Sequence, residues 1–342
     1  MSMDQHPNNQ KNIPISVLDL SPVVEGSTVA DALRNTLDLA QHVEKWGYNR
    51  YWLAEHHNMS GIASSATSVV IGHVAAGTST IRVGSGGIML PNHSPLVIAE
   101  HFGTLESLFP GRIDLGLGRA PGTDQLTAQA LRRGRMSDGQ DFPDLLDELR
   151  AYLAVPSDEH PLPVRAVPGE GLKVPIWLLG SSGFSAQLAA QLGLPFSFAS
   201  HFSPNNTLGA LQMYRRYFQA SDVLDKPYAM LGVNVIAADT DKEAERLATS
   251  LQQQFLNLIR NKPGKLKAPV DNMDEIWSEF EKATLQQQLG SSIIGGPETV
   301  KRKLEGFIAE TNADELMINA QIYDHKARLR SYEIVSEVMN SK

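Results

Sequence analysis

The sequence predicts a (β/α)8 barrel of the TIM type, and three observations support that prediction. Short apolar segments alternate with longer amphipathic segments along the whole chain, which is the pattern of a parallel sheet covered by helices. The short segments are apolar on both faces, as buried parallel strands are. Eight such units follow one another, and that number favours a closed barrel over an open doubly wound sheet.

The predicted strands are short and regularly spaced. They cover residues 15–20, 50–54, 81–90, 113–118, 174–179, 196–199, 228–237 and 315–319. Helical patterns follow them at 28–46, 64–76, 95–108, 142–153, 185–192, 206–218, 241–260 and 324–339. We expect residues 1–12 to form a disordered tail and residues 13–342 to form a single barrel domain.

One segment interrupts this alternation. Residues 261–296 are too long for a simple connection, and we predict an insertion between the seventh and eighth units. The segment follows the seventh predicted helix, whereas segments that cover a barrel mouth leave from the carboxyl ends of the strands. A packing insertion is therefore the favoured interpretation, and a lid over the mouth is the alternative.

Composition favours a small-molecule partner. The 342 residues carry a net charge of -8, which disfavours nucleic acid or an anionic membrane surface because both require a basic face. The chain has no cysteine, so disulfides and thiolate metal ligands are excluded, and a reducing cytoplasm is the expected location. Hydrophobic residues make up 42% of the chain, enough for a substantial core, yet no stretch is long and apolar enough to cross a membrane.

The second predicted strand ends in Glu55, His56 and His57, and the chemistry of a barrel lies at such strand ends. Adjacent histidines on extended backbone point in opposite directions, so only one of them can face the barrel mouth. The pair cannot bind one metal ion together, and we predict no metal site. We assign an acid/base role to His56, since imidazole titrates near neutral pH, and expect His57 to be a hydrogen-bonded core residue.

Small residues interrupt the third predicted strand at Ser85, Gly86 and Gly87. Such glycines weaken a strand, and two explanations stay open: a flat ligand approaches the backbone, or the barrel turns a corner there. The fourth strand ends in a G-x-G pattern, but Pro121 stands where a dinucleotide fingerprint needs its third glycine. Arg119 at this strand end contacts either the phosphate or a ring carbonyl of a ligand, or forms a surface ion pair.

The fifth predicted strand runs into a turn of small residues that opens the next helix, at Gly180, Ser181, Ser182 and Ser185. Backbone N–H groups and hydroxyls converge there on a helix N-terminus, which favours an anion. The phosphate loop of nucleoside triphosphate enzymes is absent, so we expect a single phosphate monoester, with a serine-capped helix as the alternative. His201 follows the sixth strand, where it either faces a substrate or belongs to a turn.

Together the strand-end motifs resemble those of the bacterial luciferase-like, flavin-dependent monooxygenase family. The segments E-H-H, G-G-I-M-L-P, P-G-R-I-D-L-G-L-G-R and the small-residue turn occur in that family's order and spacing, over nearly the whole chain. The resemblance implies a role for each of the following residues: catalysis for His56, a non-prolyl cis peptide bond beneath a flavin ring for Gly86 and Gly87, flavin contact for Arg119, and phosphate contact for Ser182 and Ser185.

The cofactor implied by this resemblance is FMN, supplied in reduced form by a separate NAD(P)H:flavin reductase and used with oxygen on a small organic substrate. No nicotinamide motif is visible, in agreement with a separate reductase. Gly86 and Gly87 stand where the light-emitting enzymes have alanines, and Gly118 stands where they have a reactive cysteine, so we do not expect luminescence. Relatives are often dimers, and a homodimer is compatible with the apolar helix patterns.

Two other functions stay open. A deazaflavin-dependent hydride transferase shares the barrel and the cis bond, but its cofactor has a long anionic tail. The basic residues near the predicted mouth are few: Arg119, Arg132, Arg133 and Arg135. A flavin-binding or storage protein of the same fold would bind FMN without using oxygen on a substrate.

Overall fold

The structure, a computed structural model, describes residues 13–132, 139–155 and 163–341. Its strands are β1 (Ile15–Asp19), β2 (Arg50–Leu53), β3 (Arg82–Ser85), β4 (Ile88–Met89), β5 (Ile113–Gly118), β6 (Ile176–Gly180), β7 (Phe196–Phe198), β8 (Ala229–Ala237), β9 (Ile293–Gly295) and β10 (Glu315–Asn319). Its α-helices are α1 (Val29–Lys45), α2 (Thr67–Ala76), α3 (Pro95–Leu108), α4 (Gln125–Arg132), α5 (Phe142–Leu153), α6 (Gly183–Leu192), α7 (Thr207–Tyr217), α8 (Asp241–Ile259), α9 (Glu279–Gln288), α10 (Pro297–Thr311) and α11 (His325–Asn340). The predicted tail at residues 1–12, and also Arg133 and Arg135, lie outside the described residues.

Eight of these strands close a barrel. β1, β2, β3, β5, β6, β7 and β8 pair in that order, and β10 pairs with both β8 and β1 to complete the ring. All of these pairs are parallel. The short β4 follows β3 and pairs with the end of β5, and β9 pairs with the end of β8. The predicted (β/α)8 barrel is confirmed, with its eight strands at the predicted places.

The ring helices bury apolar stripes against the strands. The N-cap residue of α1 is Thr28, whose hydroxyl accepts the N–H of Asp31 while the Asp31 carboxylate accepts the N–H of Thr28. This capping box fixes the helix start that the sequence predicts. Leu39 and Val43, one turn apart, are fully buried on the inner face of α1. Within the described ranges, none of the helices combines the length and apolar character needed to span a membrane.

Inward-pointing side chains fill the lower part of the barrel in layers. At the amino ends of the strands, Arg50 pairs with Asp114 and with Glu315, each at 2.9 Å. Above this layer, Trp52 and Trp177 pack edge to face with their ring centres 5.2 Å apart. The amino end of the barrel is therefore closed, and a ligand cavity can open only toward the carboxyl ends.

The insertion is larger than predicted and begins earlier in the chain. The prediction of α8 as the seventh ring helix is wrong, because α10, which the sequence analysis did not predict, packs between α7 and α11 and occupies that place. α8 instead packs on β8, β9 and α9, and its Leu256 shares a small separate core with Met273 and Leu285. α8 has the amphipathic pattern of a ring helix because it too buries one face against a strand. Residues 238–296 thus leave from the carboxyl end of β8.

The insertion crosses the mouth and is fixed to the loops that follow β1 and β2. The Leu266 N–H donates to the Val23 carbonyl at 3.0 Å, and the Glu25 N–H donates to the Leu266 carbonyl at 2.8 Å. A Cβ atom on Gly61 would lie 2.1 Å from the Gly264 carbonyl oxygen, so the two backbones touch. The expectation of a plain packing insertion is therefore wrong, since this segment covers one side of the barrel mouth.

Candidate active site

One cavity of about 620 Å³ opens at the carboxyl ends of the barrel strands. Its volume lies within the range of roughly 300 to 1,000 Å³ that is typical of pockets for cofactor-sized ligands. Every predicted site residue lines it: His56, Gly86, Gly87, Arg119, Gly180, Ser181, Ser182, Ser185 and His201. The barrel therefore brings together motifs that are far apart in the sequence, because each of them follows a strand.

His56 faces the cavity, whereas His57 is not part of its wall. The two side chains diverge as the extended backbone predicts. The Nδ1 atom of His56 lies 3.1 Å from the Gly122 carbonyl oxygen. Burial lowers the pKa of His56, and the hydrogen bond to Gly122 and the charge of Glu55 offset this only in part. The imidazole is therefore neutral at pH 7 and able to accept a proton.

Glu55 anchors the end of β2 through a buried carboxylate. One oxygen accepts hydrogen bonds from His57 Nε2 at 2.9 Å and from His93 Nε2 at 2.8 Å, and the other accepts the Met89 N–H at 3.0 Å. Burial raises the pKa of Glu55, but these hydrogen bonds outweigh it and lower the pKa to about 2. His57 is thus a hydrogen-bonded structural residue, as predicted. His93 was not predicted, because it lies beyond the G-G-I-M-L-P segment, just before α3, and only the fold brings it to Glu55.

The peptide bond between Gly86 and Gly87 is cis, as the resemblance implies. A Cβ atom on Gly86 would lie 2.7 Å from Leu18 Cδ1, and one on Gly87 would lie 2.7 Å from the Gly116 carbonyl oxygen. Close packing in the barrel interior is therefore enough to require both glycines. Both also line the cavity, so the same lack of side chains leaves room for a ligand at this wall.

Arg119 and the first turn of α6 form a candidate anion site. Ser182 is the N-cap residue of α6, and its hydroxyl makes no capping hydrogen bond to the helix. The Arg119 guanidinium lies 4.2 Å from the centre of the Phe184 ring on this turn. In the described part of the chain Arg119 has no ion-pair partner, so the surface ion pair considered for it is not found. Positive charge, unsatisfied N–H groups and hydroxyls thus meet at one wall, which favours a phosphate.

His201 lies in the loop after β7 and packs over β8. Its Nδ1 atom is sealed from solvent and has no hydrogen-bond partner among the described residues. A Cβ atom on Gly232 would come within 2.4 Å of this nitrogen, so the ring occupies space that only glycine leaves free. Burial, together with nearby His56, lowers the pKa of His201 to about 4, and the ring is neutral at pH 7. The Asn234 amide donates to the His201 carbonyl at 2.7 Å and holds this loop in place.

The structure also adds residues that the sequence analysis missed. Asn234 and Asn319 line the cavity at inward-pointing positions near the ends of β8 and β10. The strand-end rule, applied with the alternation of a strand, would have found both. Within the described ranges there is no group of three or more histidine, cysteine or acidic side chains that could hold a metal ion.

These features define a class of protein, namely a barrel enzyme whose strand ends carry a candidate anion site beside a large cavity. Within that class, the chain belongs to the luciferase-like monooxygenase family, whose family model matches residues 14–315. The family resemblance of the strand-end motifs is thereby confirmed.

Three relatives show the range of similarity. The chain is 62% identical over 335 residues to the uncharacterized protein YvbT of Bacillus subtilis, covering 98% of this chain and 99% of that protein. It is 56% identical over 328 residues to a luciferase-like monooxygenase of Escherichia coli K12, covering 96% and 97%. It is 35% identical over 335 residues to the N-acetyl-S-alkylcysteine monooxygenase of Bacillus subtilis, covering 96% and 98%.

Solved structures share the fold over almost the whole chain. Apo-MsnO8 matches with a TM-score of 0.84 at 34% identity, covering 95% of this chain and 98% of that one. The oxygenating constituent of 3,6-diketocamphane monooxygenase from Pseudomonas putida, in complex with FMN, matches at 0.72 and 18% identity, covering 96% and 98%. An F420-dependent secondary alcohol dehydrogenase matches at 0.65 and 13% identity, covering 96% and 99%. The last two similarities concern the fold alone.

Proposed function

We propose that this protein is the oxygenating component of a two-component monooxygenase. It binds reduced FMN delivered by a separate NAD(P)H:flavin reductase in the cytoplasm and uses it with oxygen on a small organic substrate. The observation that carries the proposal is the anion site, in which Arg119 and the start of α6 share one cavity wall with the Ser182 hydroxyl. This set of donors fits the single phosphate of FMN. Membership of the luciferase-like family and the FMN complex of the Pseudomonas putida enzyme support it.

The residues present fit such a cofactor. Arg119, Ser182 and Ser185 would hold the phosphate, and Gly86 and Gly87 would border the flavin ring. When bound, reduced FMN would supply the activation of molecular oxygen, so that one oxygen atom enters the substrate and the other leaves as water. The protein contributes binding, orientation and proton transfer.

His56 is the residue that would move a proton. A carbonyl oxygen only accepts hydrogen bonds, so the contact with Gly122 places the ring proton on Nδ1. Because burial keeps the ring neutral, Nε2 retains a free lone pair and can accept a proton in the cavity. The backbone contact fixes the tautomer that this role requires.

Water would be excluded by the insertion and the apolar wall. The insertion is joined through Leu266 to the loop after β1 and contributes side chains to the cavity. A cavity with few polar groups keeps bulk water away from a reactive oxygen species and so limits unproductive oxygen use.

A deazaflavin-dependent hydride transferase is the competing enzyme function, since the F420-dependent dehydrogenase shares the fold. Among the described residues of the cavity wall, Arg119 is the single arginine or lysine. Arg132 instead donates to the Asn92 side chain at 3.1 Å. One cation with an uncapped helix suits one phosphate better than a long anionic tail.

The homodimer stays a prediction.

The test is an anaerobic titration with reduced FMN, reduced riboflavin and a reduced deazaflavin with its full anionic tail. We expect FMN to bind most tightly, and Arg119→Gln to weaken FMN binding by about tenfold or more while leaving riboflavin unaffected, because only the phosphate contact is lost. Arg216→Gln, at an exposed arginine on α7, is the matched control. Equal affinity for FMN and riboflavin, or tighter binding of the deazaflavin, would contradict the proposal.

His56→Ala separates an enzyme from a flavin-binding protein. We expect the variant to bind reduced FMN as the unmodified chain does and to lose substrate-dependent oxygen use by roughly 10²- to 10⁴-fold, the usual contribution of an acid/base residue. An unaltered rate would show that the acid/base assignment is wrong.

A further inference from the structure

The insertion supplies one whole wall of the cavity. Four positions on α8 face the cavity: Gln254, Phe255, Leu258 and Ile259. Their spacing places them on one face of the helix, and the opposite face packs on β8 and β9. α8 therefore presents a mainly apolar face to the cavity, on which Leu258 is exposed while Phe255 and Ile259 are partly buried against the small core around Leu256.

The apolar character continues on the other side of the mouth. On the side of the insertion, Leu258 of α8 is 43% exposed. On the side of the barrel loops, Phe202, in the loop after β7, is 48% exposed. Met59 and Ile62, in the loop after β2, complete this part of the wall. Single exposed apolar side chains are common on proteins, but a set of them around one concave opening marks a surface that an apolar ligand covers.

Contacts with the loops after β1 and β2 hold the insertion, and with it the apolar wall, in place. Besides the backbone pairing of Leu266, the Lys265 ammonium group donates to the Ser27 carbonyl at 2.8 Å. The contact between Gly61 and Gly264 leaves no space for a side chain on Gly61. The apolar face of α8 is therefore a fixed part of the site, and its shape and chemistry can select among ligands.

Charge on the wall is scarce. Among the described residues that line the cavity, the side chains able to carry a charge are His56, Arg119 and His201. Arg119 lies at the proposed phosphate site, and the two histidines are neutral at pH 7. A charged group brought into this part of the cavity would lose its hydration without gaining a partner, which is costly.

We propose that the inner face of α8 binds the apolar part of an uncharged substrate, so that the insertion decides which molecules the enzyme oxygenates. This inference rests on the proposed function, since it assigns the space beside the flavin to the substrate. The substrate expected for this protein is uncharged, whereas the N-acetyl-S-alkylcysteine in the name of one relative carries a free carboxylate.

The experiment uses the full chain and compares two probes of equal chain length, uncharged 2-decanone and anionic decanoate. Each displaces Nile red, an uncharged dye that fluoresces in apolar surroundings, from the purified protein at pH 8 in excess inorganic phosphate, which competes with decanoate for Arg119. We expect 2-decanone to displace the dye at a concentration at least about tenfold lower than decanoate. Equal or tighter binding of decanoate would overturn the inference without any substitution.

A pair of variants locates the effect. Leu258→Glu introduces a carboxylate on the inner face of α8, and Leu208→Glu is the matched control, since Leu208 is 42% exposed on α7 and lies outside the cavity. We expect Leu258→Glu to weaken the binding of Nile red and 2-decanone by about tenfold and Leu208→Glu to leave it within about twofold. Equal effects of the two variants would overturn the inference.

The reduced-FMN titration is run on the same proteins to separate the two proposals. If 2-decanone binds more tightly than decanoate and reduced FMN fails to bind, the substrate role of the α8 face is supported and the proposed cofactor is wrong. If reduced FMN binds and decanoate competes as well as 2-decanone, the cofactor stands and the substrate assignment is wrong.

Discussion

The two ends of the barrel are built from the same strands and have opposite chemistry. On β5, Asp114 points inward at the amino end, while Gly116 and Gly118 take the inward positions above it. At the amino end the charged groups satisfy one another, and Arg50 lies between two buried carboxylates. At the carboxyl end Arg119 has no ion-pair partner within the described residues, and the cavity lies beside it.

This difference separates stability from function along each strand. Burial lowers the pKa of Arg50, but the carboxylates of Glu315 and Asp114 raise it by more, so the net shift is upward. The guanidinium therefore stays charged. A closed network of this kind leaves no group for a ligand. The carboxyl end leaves donors unsatisfied and space unfilled, and these are the properties of a binding site.

The largest expected effect comes from breaking the amino-end network. Glu315→Gln keeps the shape of a fully buried side chain and removes the charge that pairs with Arg50. We expect the free energy of unfolding to fall by about 3–5 kcal/mol, because Asp114 alone is then left to balance the charges of Arg50 and Arg82. Urea unfolding measures this, and Glu310→Gln, on the exposed side of α10, should change stability by less than about 0.5 kcal/mol. Equal unfolding midpoints for both variants would show that the network does not stabilise the fold.

A smaller effect is expected from adding one methyl group at the carboxyl end. A Cβ atom on Gly116 would lie 2.1 Å from the Ser85 carbonyl oxygen, whereas one on Gly118 would meet the flexible Met89 side chain at 2.7 Å. We expect Gly116→Ala to destabilise the protein by about 1–3 kcal/mol and Gly118→Ala to cost clearly less, because backbone cannot move aside and a methionine can. The comparison is made by urea unfolding, and the reverse order would contradict the packing described for this strand.

The third effect depends on pH and is the smallest of the three near neutral pH, where it vanishes. Burial lowers the pKa of His201 from 6.5 to about 4 in the folded chain. As the pH falls through this window, the unfolded chain takes up a proton that the folded chain does not, so stability decreases by up to about 1.4 kcal/mol per pH unit. His201→Gln should therefore show a shallower loss of stability between pH 6.5 and 4. Above pH 7 the two stability curves should run parallel, and identical slopes at acid pH would mean that the buried ring is not neutral.

Much of the fold could be predicted because each barrel strand is a short apolar segment between clear helical patterns. The ends of α3 and α5 were predicted to the residue. The insertion was misplaced because α8 and a ring helix bury one face in the same way, and periodicity does not say which strand or helix a face meets. The pairing of α10 with α7 and α11 is a tertiary property that the sequence pattern does not contain.

Most residues of the cavity wall that were predicted follow strands, although Asn234 and Asn319 near strand ends were missed. His56, Arg119 and Ser182 each follow a barrel strand, so the rule for barrels selects them. Leu258 lies in the last turn of α8 and enters the cavity only because the insertion crosses the mouth. The role of Glu55 depends on His93, which is brought to it by the fold rather than by spacing in the chain.

The short strand β9 determines how freely this enzyme can be rebuilt. Val235 pairs with Ile293 and Ala237 with Gly295, so the chain returns to the barrel beside the point at which it left. The two ends of the insertion are therefore adjacent, and a segment of different length or sequence can be joined at the same two points without moving a barrel strand. Exchange of residues 238–292 between homologous barrels is thus a direct way to combine the proposed flavin site with a different substrate wall.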